Sequence, residues 1–248
     1  MTPYLNAQRA LACLDLTLLE DDCGEADVDA LIERAHTLHG PVAAICIWPR
    51  FVARARATLA PGIRIATVVT FPAGDQQLDA VVTETRAALA AGSDEIDMVV
   101  PYRVPGGAAT EGAVKAIKAE AGSAVVKAIL ETAALETPAR IREVALAALA
   151  GGADFLKTST GKGAGGATEL AVEELISVVK SSERQVGVKV SGGVRTFADA
   201  ERYLALVDRH MGADWIRPEH FRFGASGLLS ALLAVLAGEE APTPGSGY

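Results

Sequence analysis

Eight short runs of apolar, largely β-branched residues recur along this chain, with alanine-rich stretches between them. They are ACLDLT (12–17), VAAICIW (42–48), RIATVVTF (64–71), EIDMVV (95–100), AVVKAIL (124–130), DFLKTST (154–160), QVGVKVSG (185–192) and DWIRPE (214–219). Runs of this length bounded by turn residues read as buried strands. The intervening segments have helical character, as in DVDALIERAHTL, QLDAVVTETRAALAAG, PARIREVALAALAGG, ATELAVEELISVVKSS and TFADAERYLALVDRHMG. In ATELAVEELISVV, Leu170, Val172, Leu175 and Val178 fall near helical spacing. Several of these segments end in glycine, the usual residue after a helix. Strands alternating with helices make right-handed βαβ units and a parallel sheet. Eight of them in 248 residues predict an α/β chain folded as a single-domain (β/α)8 TIM barrel. The barrel domain is expected over 1–237, with GEEAPTPGSGY (238–248) as a flexible tail. A doubly wound sheet usually has fewer strands at this length.

An internal echo supports the barrel. GSDEID begins at Gly92, GADFLK at Gly152 and GADWIR at Gly212. The spacing is that of two βα units, so the three copies are expected on strands four, six and eight. Alternate strands of such a barrel fill a common layer. The sixth residues of the echo, Asp97, Lys157 and Arg217, would then lie at similar height.

Side chains alternate along a strand. Phe155, Lys157 and Ser159 share one face; Glu95, Asp97 and Val99 share another; Gly187, Lys189 and Ser191 a third. With these faces inward, two lysines and an aspartate occupy the barrel near its C-terminal mouth, where such barrels carry their chemistry. Two ammonium groups close together disfavour each other's charge, and burial acts in the same direction. A lysine that is partly neutral at pH 7 attacks carbonyl groups and forms Schiff bases. A buried Asp–Lys ion pair of purely structural use satisfies the same spacing, but one carboxylate between two lysines leaves an extra cation that such a pair does not need.

Glycine clusters follow the last strands: Gly161-Lys162-Gly163, Ser191-Gly192-Gly193, and Gly224-Ala225-Ser226-Gly227 at the start of the last helix. Free backbone N–H groups at a helix start hold anions, and barrels often bind phosphate with the loops after strands seven and eight. Composition narrows the partners. The net charge of −8 and pI near 5.1 argue against non-specific nucleic-acid binding, which favours basic chains. No apolar stretch reaches the roughly 18 residues of a membrane span, and no signal peptide is apparent. Three cysteines, Cys13, Cys23 and Cys46, without metal-ligand spacing suit a reducing cytoplasm.

DFLKTSTGK, GVKVSGGVRT and FRFGAS, together with EIDMVVPY and AAICIWPRF, resemble the deoxyribose-phosphate aldolases, class I aldolases on a (β/α)8 barrel. The similarity runs from LDLT near the N-terminus through the last helix. It implies reversible cleavage of 2-deoxy-D-ribose 5-phosphate to D-glyceraldehyde 3-phosphate and acetaldehyde, with no metal or other cofactor. It also implies that Lys157 forms the Schiff base, that Lys189 tunes it, and that Asp97 relays protons. Asp15 and Cys46 match residues lining the substrate site. Thr158, Gly161, Lys162, Gly192, Gly193 and Ser226 match positions that orient or bind the sugar phosphate. Two departures stand out: Val190 replaces the Ala or Pro of many relatives, and Gly227 the second serine of some. The expected partners are small sugar phosphates and aldehydes, with no nucleic acid and no membrane. A homodimer is common for such barrels.

Other candidates have plainer readings. His36 and His39 are expected on an exposed helix, and His210 and His220 have no obvious partners. Cys46 is expected as a buried thiol, with a reactive thiol near an aldehyde as the sharper alternative. Lys127 either approaches the site or pairs with a carboxylate such as Glu131. Arg217 fills the barrel or pairs in a loop. Tyr248 ends a Pro/Gly/Ser tail, from which a phenol could reach the mouth and assist proton transfer. Two other functions remain open at this level: another lysine-dependent aldolase or transaldolase, and a sugar-phosphate-binding barrel without catalysis.

Overall fold

The alternating runs pair in chain order. In the computed structural model, which describes residues 1–163 and 165–239, they form β1 (Leu14–Leu18), β2 (Ala44–Ile47), β3 (Arg64–Val69), β4 (Glu95–Val99), β5 (Val125–Ile129), β6 (Phe155–Lys157), β7 (Gly187–Ser191) and β8 (Phe221–Ala225). Each strand is parallel to the next, and β8 closes on β1 through the register Asp15 opposite Gly224. Closure pairs every barrel strand on both sides. The helices are α1 (Pro3–Ala12), α2 (Glu25–Ala35), α3 (Val52–Thr58), α4 (Leu78–Ala90), α5 (Ala108–Ala121), α6 (Pro138–Ala150), α7 (Glu169–Lys180), α8 (Phe197–Met211) and α9 (Leu228–Leu236). Among the described residues no helix is long and apolar enough to cross a membrane.

The helices start where the sequence supplies caps. Thr137, Thr168 and Thr196 each accept a backbone N–H from the first turn of α6, α7 and α8. The main core lies between the barrel and this helical ring. Outward-facing Ile45, Ile65, Ile96, Val126, Leu156 and Val188 pack there against Val28, Val81, Val114, Val144, Val172 and Leu204. In α7 the buried stripe is Ala171, Val172, Leu175, Ile176, Val178 and Val179; Leu170, expected on it, is about half exposed at 52%.

The barrel interior is packed differently. A small apolar cluster of Leu19, Cys46, Ala66 and Val68 occupies one side, and long charged side chains fill the rest. Two glycines make room for them. A Cβ at Gly187 would collide with the Phe155 ring, and one at Gly224 would lie 2.8 Å from the Lys189 Cε.

The echo has a structural cause in two of its three copies. Gly92 and Gly152 turn the chain with φ of 103° and 100°, a conformation that favours glycine. Asp94 and Asp154 then accept the backbone N–H of Ile65 and Val126 in the preceding strand, each at 2.8 Å. They also pair with Arg56 and Lys118 at 2.5 and 2.6 Å. The third copy departs from this. DWIRPE is not strand eight: Ala213–Trp215 is a 3-10 turn and Arg217 is exposed. Pro218 has no N–H to give a parallel ladder, and the apolar FRFGA that follows is the true strand. His36 and His39 also leave the helix, since a small antiparallel pair, His36–Thr37 with Gly40–Pro41, follows α2. The tail residues 240–248, Tyr248 among them, lie outside the described residues.

Gly187→Ala tests the packing inside the barrel. The added methyl has no space beside Phe155, so unfolding in urea should show a loss of about 1–3 kcal/mol; an unchanged midpoint would mean that the Phe155 ring moves aside freely.

Candidate active site

Seven ionisable side chains meet inside the barrel because inward positions on β1, β4, β5, β6, β7 and β8 carry them. Asp97 on β4 is the centre. Its Oδ1 accepts the Lys127 ammonium at 2.7 Å, and its Oδ2 accepts Lys157 at 2.8 Å and Lys189 at 2.7 Å. Asp15 on β1 takes Lys189 at 2.6 Å and Arg222 at 2.5 Å. Glu95 on β4 takes Lys127 at 2.5 Å and Arg222 at 2.9 Å. All seven are buried, and Lys157, the most accessible lysine, is only 2% exposed. An unpaired charge at such depth costs several kcal/mol, which explains the density of pairing.

The pairing is unequal. Three carboxylates, Asp15, Glu95 and Asp97, face four basic groups, Lys127, Lys157, Lys189 and Arg222. Lys189 contacts two carboxylates closely and Lys127 contacts Asp97 and Glu95, whereas Lys157 has only a shared oxygen of Asp97. Burial pulls all three lysines toward the neutral form. For Lys189 the carboxylates of Asp15 and Asp97 outweigh burial and hold the ammonium above its ordinary pKa; for Lys127, Asp97 and Glu95 do the same. Lys157 goes the other way: burial lowers its pKa, Asp97 does not fully offset this, and the nearby Lys189 charge lowers it further. Asp97 and Asp15 are both held below the ordinary carboxylate value, because the surrounding cations overcome the burial that would raise them. Burial pushes the Cys46 thiol up, which keeps it in its neutral form.

Above this cluster lies a pocket of about 210 Å³. Thr17, Ser191 and Gly224, each two residues beyond a member of the charged layer, line it, with Thr160, Gly161, Lys162, Gly192, Gly193 and Ser226. Gly192 and Gly193 have φ of 85° and 83°. Ser226 and Gly227 precede the free N–H groups of α9, and Lys162 and Arg195 add positive charge at the rim. The pocket therefore offers an anion site at the C-terminal end of the barrel. A larger cavity, about 580 Å³, opens at the opposite, N-terminal end of the barrel.

The residues expected from the sequence are distributed between these two levels. Lys157, Lys189 and Asp97 meet in the buried cluster. Asp15 lies in it as well, fully buried against Lys189 and Arg222. Gly161, Lys162, Gly192, Gly193 and Ser226 line the pocket. Cys46 faces the interior in the small apolar cluster. Thr158 does not reach the pocket: its Oγ1 donates to the Ser191 carbonyl and accepts the Ser191 N–H, both at 3.0 Å, clipping β6 to β7. Val190 faces the outer core, away from the pocket. Lys127 pairs with Asp97 and Glu95, not with Glu131. Glu131 instead accepts the N–H and hydroxyl of Thr160, at 3.1 and 2.6 Å, from a left-handed backbone with φ of 50°.

Sequence reasoning missed the role of Arg222 and misjudged the partners of Glu95 and Glu131. Arg222 was hidden by the displaced eighth strand, although FRFGA alternates cleanly once placed. Glu95 was assigned to the inward face without a partner. Glu131 gave no periodic signal, because it sits in a turn.

The depressed carboxylates set a pH dependence. Their folded pKa lies below the unfolded value near ~4, so their contribution is fully present above that value and is lost as pH falls through and below it. Urea unfolding from about pH 6 to about pH 3 should show falling stability, with a shallower slope in Asp15→Asn. Equal slopes in the two proteins would contradict the pairing of Asp15.

Residues 9–234 match the family model for the DeoC/LacD family aldolases. The chain is 48% identical to a deoxyribose-phosphate aldolase from Agrobacterium fabrum, over 99% of this chain and 97% of that protein. A tetrameric deoxyribose phosphate aldolase from Aeropyrum pernix superposes with a TM-score of 0.70 at 28% identity, covering 94% of this chain and 92% of that one. An apo-form crystal structure from Toxoplasma gondii ME49 superposes with a TM-score of 0.88 at 26% identity, covering 97% of this chain and 99% of that one. The family match spans almost the whole barrel, from α1 to α9, and on it the chain belongs to the DeoC/LacD aldolase family.

Proposed function

We propose that this aldolase reversibly cleaves 2-deoxy-D-ribose 5-phosphate to D-glyceraldehyde 3-phosphate and acetaldehyde through a Schiff base on Lys157, as a cytoplasmic step in deoxyribonucleoside breakdown. The observation that carries the reading is that Lys157 alone, among the three barrel lysines, meets a single carboxylate oxygen, shared with Lys189, whereas Lys189 and Lys127 each meet two carboxylates; its pKa is lowered accordingly. The name of the Agrobacterium relative supports the substrate.

The chemistry follows from the residues. The neutral Lys157 Nζ attacks C1 of the open-chain aldehyde, and the carbinolamine loses water to give a protonated imine. The imine is an electron sink. Acetaldehyde retains C1 and C2, so the bond that breaks is C2–C3. As the C3 hydroxyl loses its proton, the C2–C3 electron pair moves to the imine and leaves an enamine. D-Glyceraldehyde 3-phosphate departs. Protonation at C2 and hydrolysis then release acetaldehyde and restore the amine. Lys189 holds its proton tightly between Asp15 and Asp97, so it acts as the fixed charge that keeps Lys157 neutral. Asp97 contacts the Lys157 and Lys189 nitrogens and passes protons through a water. Gly192, Gly193, Ser226 and Lys162 take the phosphate, which sets the distance from the anion site to the lysine.

Turnover of 2-deoxy-D-ribose 5-phosphate with release of acetaldehyde tests the reading. Lys157→Leu should lower the rate by on the order of 10⁴-fold or more while the protein stays folded. Unphosphorylated 2-deoxy-D-ribose should show a KM roughly tenfold or more above that of the phosphate ester, given charge-assisted contacts. Retained cleavage by Lys157→Leu would refute the assignment.

A further inference from the structure

We infer that Arg222, at the floor of the barrel, is a positioning residue for the reaction: its charge occupies two carboxylates and so leaves Lys157 without a full counter-ion. The inference rests on the reading of Lys157 as the nucleophile. Without Arg222, three lysines would face three carboxylates, and each could hold a proton against one counter-ion. With it, four basic groups share three carboxylates, and the group with the fewest contacts loses most.

The geometry shows how one guanidinium does this. Arg222 donates to Asp15 Oδ1 at 2.5 Å and to Glu95 Oε1 at 2.9 Å. The remaining oxygens, Asp15 Oδ2 and Glu95 Oε2, are thereby turned to Lys189 and Lys127. The planar fork of arginine suits this double task, and its proton is not lost at accessible pH. Arg222 is fixed from behind by donation from Nε to the Pro218 carbonyl and lies over the Phe155 ring, 5.7 Å from its centroid.

Every element around the cluster enters the balance. Asp15 faces it from β1, Cys46 from β2, Glu95 and Asp97 from β4, Lys127 from β5, Lys189 from β7 and Arg222 from β8. Arg64 on β3 reaches Glu95 only at 3.7 Å with its side chain 57% exposed, so solvent screens it. Glu131, beyond β5, is engaged by Thr160. Arg222 and Glu95 also line the 580 Å³ cavity at the N-terminal end, so shortening either side chain opens onto that space.

The test is the titration of the Lys157 ε-carbon by NMR in protein carrying labelled lysine, together with the pH profile of cleavage. Arg222→Met removes a cation and should raise the Lys157 midpoint by about one pH unit, the effect of a unit charge on the order of 10 Å away at an effective dielectric near 20. Cleavage at neutral pH should slow by about tenfold and recover as pH rises. Glu95→Gln should move the midpoint the other way. The double variant Arg222→Met/Glu95→Gln restores one excess cation and should titrate near wild type, as should Arg222→Lys. A purely structural role would lower the unfolding temperature without these opposed shifts. The inference is overturned if the two single substitutions leave the midpoint in place or move it in the same direction, or if the double variant follows Arg222→Met. If Arg222→Met does not fold, Glu95→Gln and the double variant decide alone. The NMR titration does not depend on catalysis, so its outcome is separate from the Lys157→Leu result.

Discussion

One carboxylate holds the interior of this barrel together. Asp97 receives three lysines from β5, β6 and β7 on two oxygens. A (β/α)8 barrel is normally filled with branched apolar side chains, so an interior of seven ionisable groups must satisfy itself or fail to fold. Asp97 cannot satisfy three lysines equally. Asp15 and Glu95 supply the difference for Lys189 and Lys127, and Lys157 is left with the weakest hold on its proton. The same ion pairs thus hold the interior together and set which lysine is protonated least firmly.

The fold places this cluster one layer below the mouth. Charged residues and pocket residues are two apart on the same strands: Asp15 and Thr17, Lys189 and Ser191, Arg222 and Gly224. Gly192, Gly193 and the start of α9 line the pocket at that mouth. Gly187 and Gly224 are glycines for a steric reason, since Phe155 and the Lys189 arm occupy the space their side chains would fill.

Much of this was legible in the chain. Period-two faces put Asp97, Lys157 and Lys189 inward, and the 60-residue echo set Asp97 and Lys157 at similar height, where the structure has them in contact. The same echo misled at its third copy. Gly-Ala-Asp repeats there, but the segment forms a 3-10 turn, not a strand, and Pro218 breaks the ladder that the copy would need. The displaced strand hid Arg222. Pairings such as Lys127 with Glu95 were not legible, because which inward charge meets which depends on the stagger of a closed sheet. Thr158 shows a different limit: the family resemblance set it among the sugar-phosphate positions, whereas strand alternation turns it away from Lys157, and its hydroxyl meets the Ser191 backbone.

The most direct test of the account is to treat the protein with acetaldehyde and borohydride at neutral pH and map the reduced adduct by mass spectrometry. The account predicts a two-carbon adduct on Lys157 alone among the barrel lysines, suppressed by 2-deoxy-D-ribose 5-phosphate. An adduct on Lys189 or Lys127, or labelling confined to surface lysines, would contradict it.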